Sequence, residues 1–205
     1  MPATRCIPSR TAVVLIDPYN DFFSRAGRAW PMTRDVALAN HVVANIRSLL
    51  SACRSAGVHV VYAPHYRHRR GGLSHRKHPA PSHLLVSKLG MFSAGGRGGR
   101  FHPHLAPAPG DSVASEHETS CGFTGTDLDE RLHERGIEEV VLAGALSNTC
   151  VESTGRTARD LGYRVTFLTD AVTAQTWRDH QAALVNYPLL GQSLTVSEFI
   201  SAIES

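Results

Sequence analysis

The chain has 205 residues, a formal net charge of +3, 42% hydrophobic residues and 19% charged residues. These proportions fit one sizeable globular domain and exclude a wholly disordered chain. The small positive balance gives no electrostatic ground for nucleic-acid binding, and no run of about 18 apolar residues offers a membrane span.

The opening residues, MPATRCIPSRTAVVLID, hold no apolar stretch long enough for a signal peptide. Cys6, Cys53, Cys121 and Cys150 are scattered, without a CxxC pair. Neither a structural zinc site nor a disulfide framework is expected, and a reducing, cytoplasmic setting is.

Thr11 to Ile16 (TAVVLI) is a short β-branched apolar run that ends at Asp17 and predicts a buried strand. From Asp35 to Ala56, apolar residues at Val36, Val43, Ile46, Leu50 and Cys53 follow the three-to-four spacing of one amphipathic helix, with Gly57 as its stop. Val58 to Ala63 (VHVVYA) is a second strand.

Pro64 to Gly110 is rich in Pro, Gly, His and Arg and shows little periodicity, which predicts a long loop or lid insertion. Its "HYRHRRGGLSHRKHPAPSH" reads as a solvated basic loop that hints at an acidic substrate or a surface patch. His65 and His68, an i, i+3 pair, are the alternative as metal ligands, although no metal and no cofactor is expected. "GGRGGRFHPH" (Gly95 to His104) lacks the GK[ST] of a phosphate loop and predicts a flexible lid, with an RNA contact as the weaker alternative.

Further along, Ser112 to Ser115 is a short strand, Thr126 to Glu134 a helix stopped by Gly136, and Glu139 to Ala143 a strong strand. Val151, Thr154, Ala158 and Leu161 mark one helix face ended by Gly162. Tyr163 to Leu168 is a fourth strong strand. Helices over Trp177–Tyr187 and Val196–Ile203 flank a last strand near Ser193–Val196. Strands that are apolar throughout, alternating with helices, predict a single α/β domain over 1–205, with a mainly parallel sheet covered on both faces. Ligands in such sheets sit at the carboxyl ends of strands, where Asp17 and the Gly144–Cys150 loop both fall.

That placement gives Cys150 two readings. A free cysteine is commonly a small core residue, and Asp17 could simply cap a turn before Pro18. Alternatively, a thiol at a helix start is acidified by the helix dipole and unpaired backbone N–H groups. The same N–H groups could receive an oxyanion, and Asp17 could take the thiol proton.

The stretches "VVLIDPYNDFF" and "GFTGTDLDERLHERGIEEVVLAGALSNTCVESTGRTARDLGYRVTFLTDA" resemble the isochorismatase-like cysteine hydrolases. That family includes nicotinamidases and N-carbamoylsarcosine, ureidoacrylate and biuret hydrolases. The resemblance implies a three-layer α/β/α sandwich on a mainly parallel six-stranded sheet. It implies a catalytic Asp17, a nucleophilic Cys150, a cis peptide at Ala145–Leu146, and an oxyanion hole from the N–H groups of Leu146 and Cys150. The family's third catalytic residue, a lysine, falls on His117 when counted back from Phe123. The "EH" at that slot, together with "DPYNDF" and "GGRFHP", resembles a variant subgroup of the family. His117 could be a cation beside Asp17, a proton shuttle, or a structural substitute. Lys88, the nearest upstream lysine, could instead reach in from the loop.

Asn20 is a candidate to orient Asp17 or a substrate, with Phe22, Trp30 and Phe123 as candidate substrate-binding walls and Asp21 as a turn cap. The expected activity is hydrolysis of a carbon–nitrogen bond in a small amide, ureide or lactam through a thioester. A vinyl-ether-cleaving isochorismatase and a catalytically silent binding homologue are the alternatives. The expected partner is a small-molecule substrate, in a homodimer or homotetramer.

Overall fold

The computed structural model describes residues 6–69 and 77–204. Six strands form one parallel sheet: β1 (Thr11–Ile16), β2 (His59–Ala63), β3 (Ser112–Val113), β4 (Glu139–Ala145), β5 (Arg164–Thr173) and β6 (Gln192–Leu194). Their spatial order is β3-β2-β1-β4-β5-β6. Chain progression reverses direction between β1 and β4, which is the switch point where a parallel sheet opens a crevice for a ligand. Ile16 pairs with Gly144 across that junction.

Alternation along β1 divides the core. Val13 and Leu15 pack with α1 (Asn20–Phe23), α2 (Trp30–Ala39), α3 (Val42–Ala56) and the later helix over Val196–Glu204. Ala12, Val14 and Ile16 face the other way, toward helices over Leu128–His133, Glu152–Asp160 and Trp177–Leu190. The expected three-layer sandwich is therefore present. No single helix among the described residues is long and apolar enough to cross a membrane.

Several boundaries differ from the sequence reading. The single helix expected over 35–56 is two, broken at Asn40 and His41, where His41 takes a left-handed conformation with φ 50°. The Asn45 amide stabilises the break by donating to the Asn40 carbonyl at 2.9 Å. Leu161, expected on a buried helix face, lies past the end of its helix and is exposed. Tyr163–Leu168 is the first half of a longer strand, because β5 continues beyond a bulge to pair Val172 with Gly144.

The insertion after β2 is not without elements: it carries α4 (Pro81–Leu89) and a short 3-10 turn at Pro103–Leu105. Arg70 to Arg76, in the middle of the basic stretch, lie outside the described residues.

The remaining helices are α5 (Leu128–His133), α6 (Glu152–Asp160), α7 (Trp177–Leu190) and α8 (Val196–Glu204).

Candidate active site

β1 ends at Asp17, whose φ of 51° is unusual for a residue with a side chain. The turn is fixed by its own N–H donating to Ala63 and by its carbonyl accepting from Tyr19 at 2.7 Å. Next to it, β4 passes through Gly144 at φ 119°, where a Cβ would fall on the backbone of Ile16. Glycine is required there because the two strand ends are pressed together. This contact brings the loop after β4 against Asp17.

The Ala145–Leu146 peptide of that loop is cis. Ser147–Val151 then forms one wide turn of π-helix before α6 begins. The Leu146 carbonyl accepts from both Thr149 and Val151, at 3.2 and 3.1 Å. Tyr187, buried on α7 and stacked on Phe167 at 4.0 Å, donates to the Ser147 carbonyl at 2.9 Å and braces the turn. Such wide turns recur at functional sites because they re-aim a side chain. Here the turn presents Cys150 to Asp17.

Asp17 and His117 are fully buried. His117 Nε2 lies 3.0 Å from Asp17 Oδ1, and its Nδ1 lies 2.7 Å from the Thr119 carbonyl. A carbonyl oxygen only accepts, so Nδ1 carries a proton; the carboxylate then asks for a second proton on Nε2. Burial pulls the His117 pKa down, but the Asp17 charge, its hydrogen bond and the Thr119 carbonyl outweigh it, and the result lies above the ordinary histidine value. The protonated form of His117 is thus favoured at the slot where the resemblance implied a lysine.

Cys150 is half-buried. Burial first, then the charge of Asp17 and the thiol's hydrogen bond to it, push its pKa well above the ordinary thiol value. Donors from Thr149 and the Leu146 N–H pull the other way and lose. This corrects the expectation of a thiol acidified by a helix start: Cys150 sits inside the π turn, and the nearest full charge is negative. The resting group is a neutral thiol with a carboxylate placed to receive its proton. Asp17 Oδ2 is buried and has no hydrogen-bond partner among the described residues, which leaves it free to receive the thiol proton.

A cleft leads to this group. Asp17, Leu146, Cys150 and Phe22 line it, as do three residues on one face of the α2 start: Ala29, Met32 and Thr33. Trp30 does not. It is one position off that i, i+3, i+4 face.

Asn20 and Phe123 are also outside the lining. The Asn20 amide donates to Arg97 at 3.0 Å and Phe101 at 3.4 Å, a tether for the following loop rather than a contact with Asp17. Phe123 belongs to the core on the opposite face of the sheet, stacked on Tyr163 at 6.0 Å.

Asp21 accepts from the backbone N–H of Arg28 at 2.9 Å and of Phe92 at 2.7 Å. Its backbone N–H donates to Gly98, and a Cβ on Gly98 would strike its carboxylate. The Gly95–His104 segment, expected as a flexible lid, is therefore stapled to the end of β1, with Phe101 stacked on Tyr19 at 5.5 Å. The helix α4 forms the outer wall through Leu85 and Val86, while Lys88 on its other side is exposed and does not enter.

Sequence reasoning missed Phe92, Met91 and the true setting of His65. Phe92 sits in an aperiodic stretch with no signal of its own. His65 could have been found, because it follows β2 by two residues and so falls at a strand's carboxyl end. It is buried in the cleft wall, 5.3 Å ring to ring from His117. Burial pushes its pKa down to about 4. Among the described residues, no group of three or more His, Cys, Asp or Glu is arranged to hold a metal.

Residues 11–198 match the family model described as the isochorismatase domain. The chain belongs to the isochorismatase domain family. It is 33% identical over 196 residues to the ureidoacrylate amidohydrolase RutB of Stutzerimonas stutzeri (strain A1501), covering 87% of this chain and 76% of that relative. Its fold is similar to a cysteine hydrolase from Pseudomonas syringae pv. phaseolicola 1448A, with TM-score 0.81, 25% identity, and coverage of 98% and 95% of the two chains. It is also similar to the N-carbamoylsarcosine amidase from Thermoplasma acidophilum, with TM-score 0.69, 26% identity, and coverage of 91% and 96%. This isochorismatase-family chain, like those relatives, is a hydrolase.

Proposed function

We propose that the chain is a cysteine-dependent amidohydrolase that cleaves the carbon–nitrogen bond of a small amide, ureide or lactam through a thioester. The observation that carries this reading is the position of Asp17, held by the protonated His117 on one oxygen and facing the Cys150 thiol with the other. Similarity to an amidohydrolase and an amidase supports the choice of bond.

In the proposed sequence, substrate binding excludes water and brings a carbonyl carbon to the sulfur. The thiol proton passes to Asp17 as sulfur attacks, so the thiolate never stands free in a site that disfavours it. The carbonyl oxygen gains the negative charge and is received by the N–H groups of Leu146 and Cys150. His117, a fixed cation beside Asp17, offsets the charge that accumulates around the carboxylate in the resting state. Asp17 returns the proton to the leaving nitrogen as the carbon–nitrogen bond breaks, which leaves a thioester. Water then attacks with its proton taken by Asp17. The carbon–sulfur bond breaks, and sulfur recovers the proton.

A screen of small amides and ureides for ammonia release, with wild type and Cys150→Ala side by side, tests the reading. Turnover in the wild type that vanishes in the folded variant is expected, with an acyl adduct on Cys150 trapped by mass spectrometry. Activity surviving in Cys150→Ala would overturn the mechanism, as would pyruvate release from isochorismate with the thiol dispensable.

A further inference from the structure

His65 is buried to 7% exposure in the wall of the cleft that holds Asp17 and Cys150. Its orientation is fixed from several sides. Nδ1 lies 2.9 Å from the Tyr66 carbonyl, the ring of Phe92 packs at 5.0 Å, and His117 meets it edge-on at 5.3 Å. Because the Tyr66 carbonyl can only accept, the single proton of a neutral His65 is on Nδ1. Nε2 then carries a lone pair, and none of the hydrogen bonds among the described residues uses it. The lone pair is open to the cleft, where a ligand can supply the donor that water otherwise supplies.

The rest of the wall indicates what that ligand carries. Phe22, Met32, Leu85, Val86, Met91 and Phe92 give the cleft a largely apolar lining. The full negative charge within it is the carboxylate of Asp17. The described lining contains no Lys or Arg to receive a substrate carboxylate. An apolar, low-dielectric wall strongly disfavours an unpaired charge, whereas it stabilises a hydrocarbon substituent by removing it from water.

We propose that His65 Nε2 accepts a hydrogen bond from the amide N–H of the substrate, and that the cleft selects uncharged amides with a compact apolar substituent. This inference rests on the amidohydrolase reading above and narrows its substrate class. His65 is a recognition residue that tells an amide from an ester. The basic stretch that hinted at an acidic substrate plays no part in the described wall.

Three compounds and two variants of the full chain test it. The probes are 4-methylpentanamide, its carboxylate isostere succinamate, and methyl 4-methylpentanoate, which keeps the carbonyl and lacks the N–H. Wild type is expected to favour 4-methylpentanamide over succinamate by about tenfold or more in kcat/KM. In His65→Phe the ratio of amide to ester kcat/KM is expected to fall about tenfold, mainly through KM for the amide, and His65→Gln, whose side-chain oxygen can accept, is expected to recover most of it.

Equal losses on amide and ester in His65→Phe would overturn the N–H contact, since a merely structural role lowers both. A preference for succinamate, or hydrolysis of other amides with none of 4-methylpentanamide, would overturn the apolar selection. Failure of the wild type on every amide and ester would instead overturn the amidohydrolase reading itself, and this inference with it.

Discussion

His117 holds Asp17 through Nε2 at 3.0 Å while its other nitrogen faces the Thr119 carbonyl at 2.7 Å, so both nitrogens of one buried ring meet acceptors. With Asp17 ionised, the arrangement is satisfied when the ring is doubly protonated. The ring nitrogens are therefore expected to show two N–H signals at pH 7 by nitrogen-15 NMR. One N–H signal with a bare Nε2 would remove the cation from the site. The sign of the pH dependence follows. A folded-state pKa above the ordinary value near 6.5 gives a stabilising contribution that is fully present below about pH 6.5 and lost as pH rises through the raised value. Urea melts should thus show the advantage of wild type over His117→Gln shrinking from pH 6 to pH 9. Turnover should fall on the same alkaline limb. His117→Lys, if it retains activity, should move that limb upward, because lysine keeps its charge to about pH 10.

Asp17 acts on Cys150 in two opposed ways, which makes Asp17→Asn informative. The carboxylate raises the thiol pKa by its charge and by accepting the thiol's hydrogen bond. Removing the charge is expected to lower the pH midpoint for alkylation of Cys150 by iodoacetamide, followed by peptide mass spectrometry. The same substitution removes the proton acceptor, so turnover is expected to drop by about a hundredfold or more. Chemical reactivity and catalysis should move in opposite directions. A variant in which both fall together would place Asp17 in a purely structural role.

The parallel sheet and the shared rim of Asp17 and the Gly144–Cys150 loop were legible in the sequence because buried parallel strands are written as continuous apolar runs. "TAVVLI" and "EVVLA" carry that signal and end at the two functional turns. The break at Asn40–His41 was not legible, since the apolar spacing continues across it and only a local hydrogen bond and a left-handed residue mark it. The protonation states were illegible for a different reason. A motif says that Cys150 follows a strand, but the sign of its pKa shift depends on how deeply the turn is buried and on which charge lies nearest. His117 shows the reverse case, where Asp17 and the Thr119 carbonyl favour the protonated form of a residue that the slot alone does not mark as a cation.

Gly144 is the point on which the two site-bearing strands converge. An alanine there would put its Cβ on the Ile16 backbone and would also have to take φ 119°, a value that L residues rarely adopt. The core around it is packed, and the cost has no flexible side chain to absorb it. Gly144→Ala is expected to destabilise the fold by about 3 kcal/mol or to prevent folding. Gly57, with φ 77° and open space around its Cβ position, is the control, since Gly57→Ala bears the backbone cost alone, about 1 kcal/mol. Equal losses in the two variants, measured by urea denaturation, would refute the close-approach argument.

Asp21, which the sequence suggested as a simple turn cap, reaches much further than its own turn. Its two carboxylate oxygens are each occupied by a backbone N–H, from Arg28 before α2 and from Phe92 after α4, and the residue is 1% exposed. Both segments lead into the cleft wall, through Ala29, Met32 and Thr33 on one side and Met91 and Phe92 on the other. Phe92 also packs on Phe22 at 5.2 Å and on His65 at 5.0 Å. Replacing Asp21 with alanine leaves the buried Phe92 N–H without a partner and the part-buried Arg28 N–H to water, a cost of about 1–3 kcal/mol, and loosens the wall without touching Asp17, His117 or Cys150. Asp21→Ala is therefore expected to raise KM severalfold with a smaller effect on kcat, and Asp21→Asn, which keeps one acceptor oxygen, to lie between it and wild type. Steady-state kinetics on a substrate found in the amide screen separates the two parameters. A fall in kcat at unchanged KM would mean that Asp21 bears on the reacting groups themselves, against the wall-holding role that its hydrogen bonds describe.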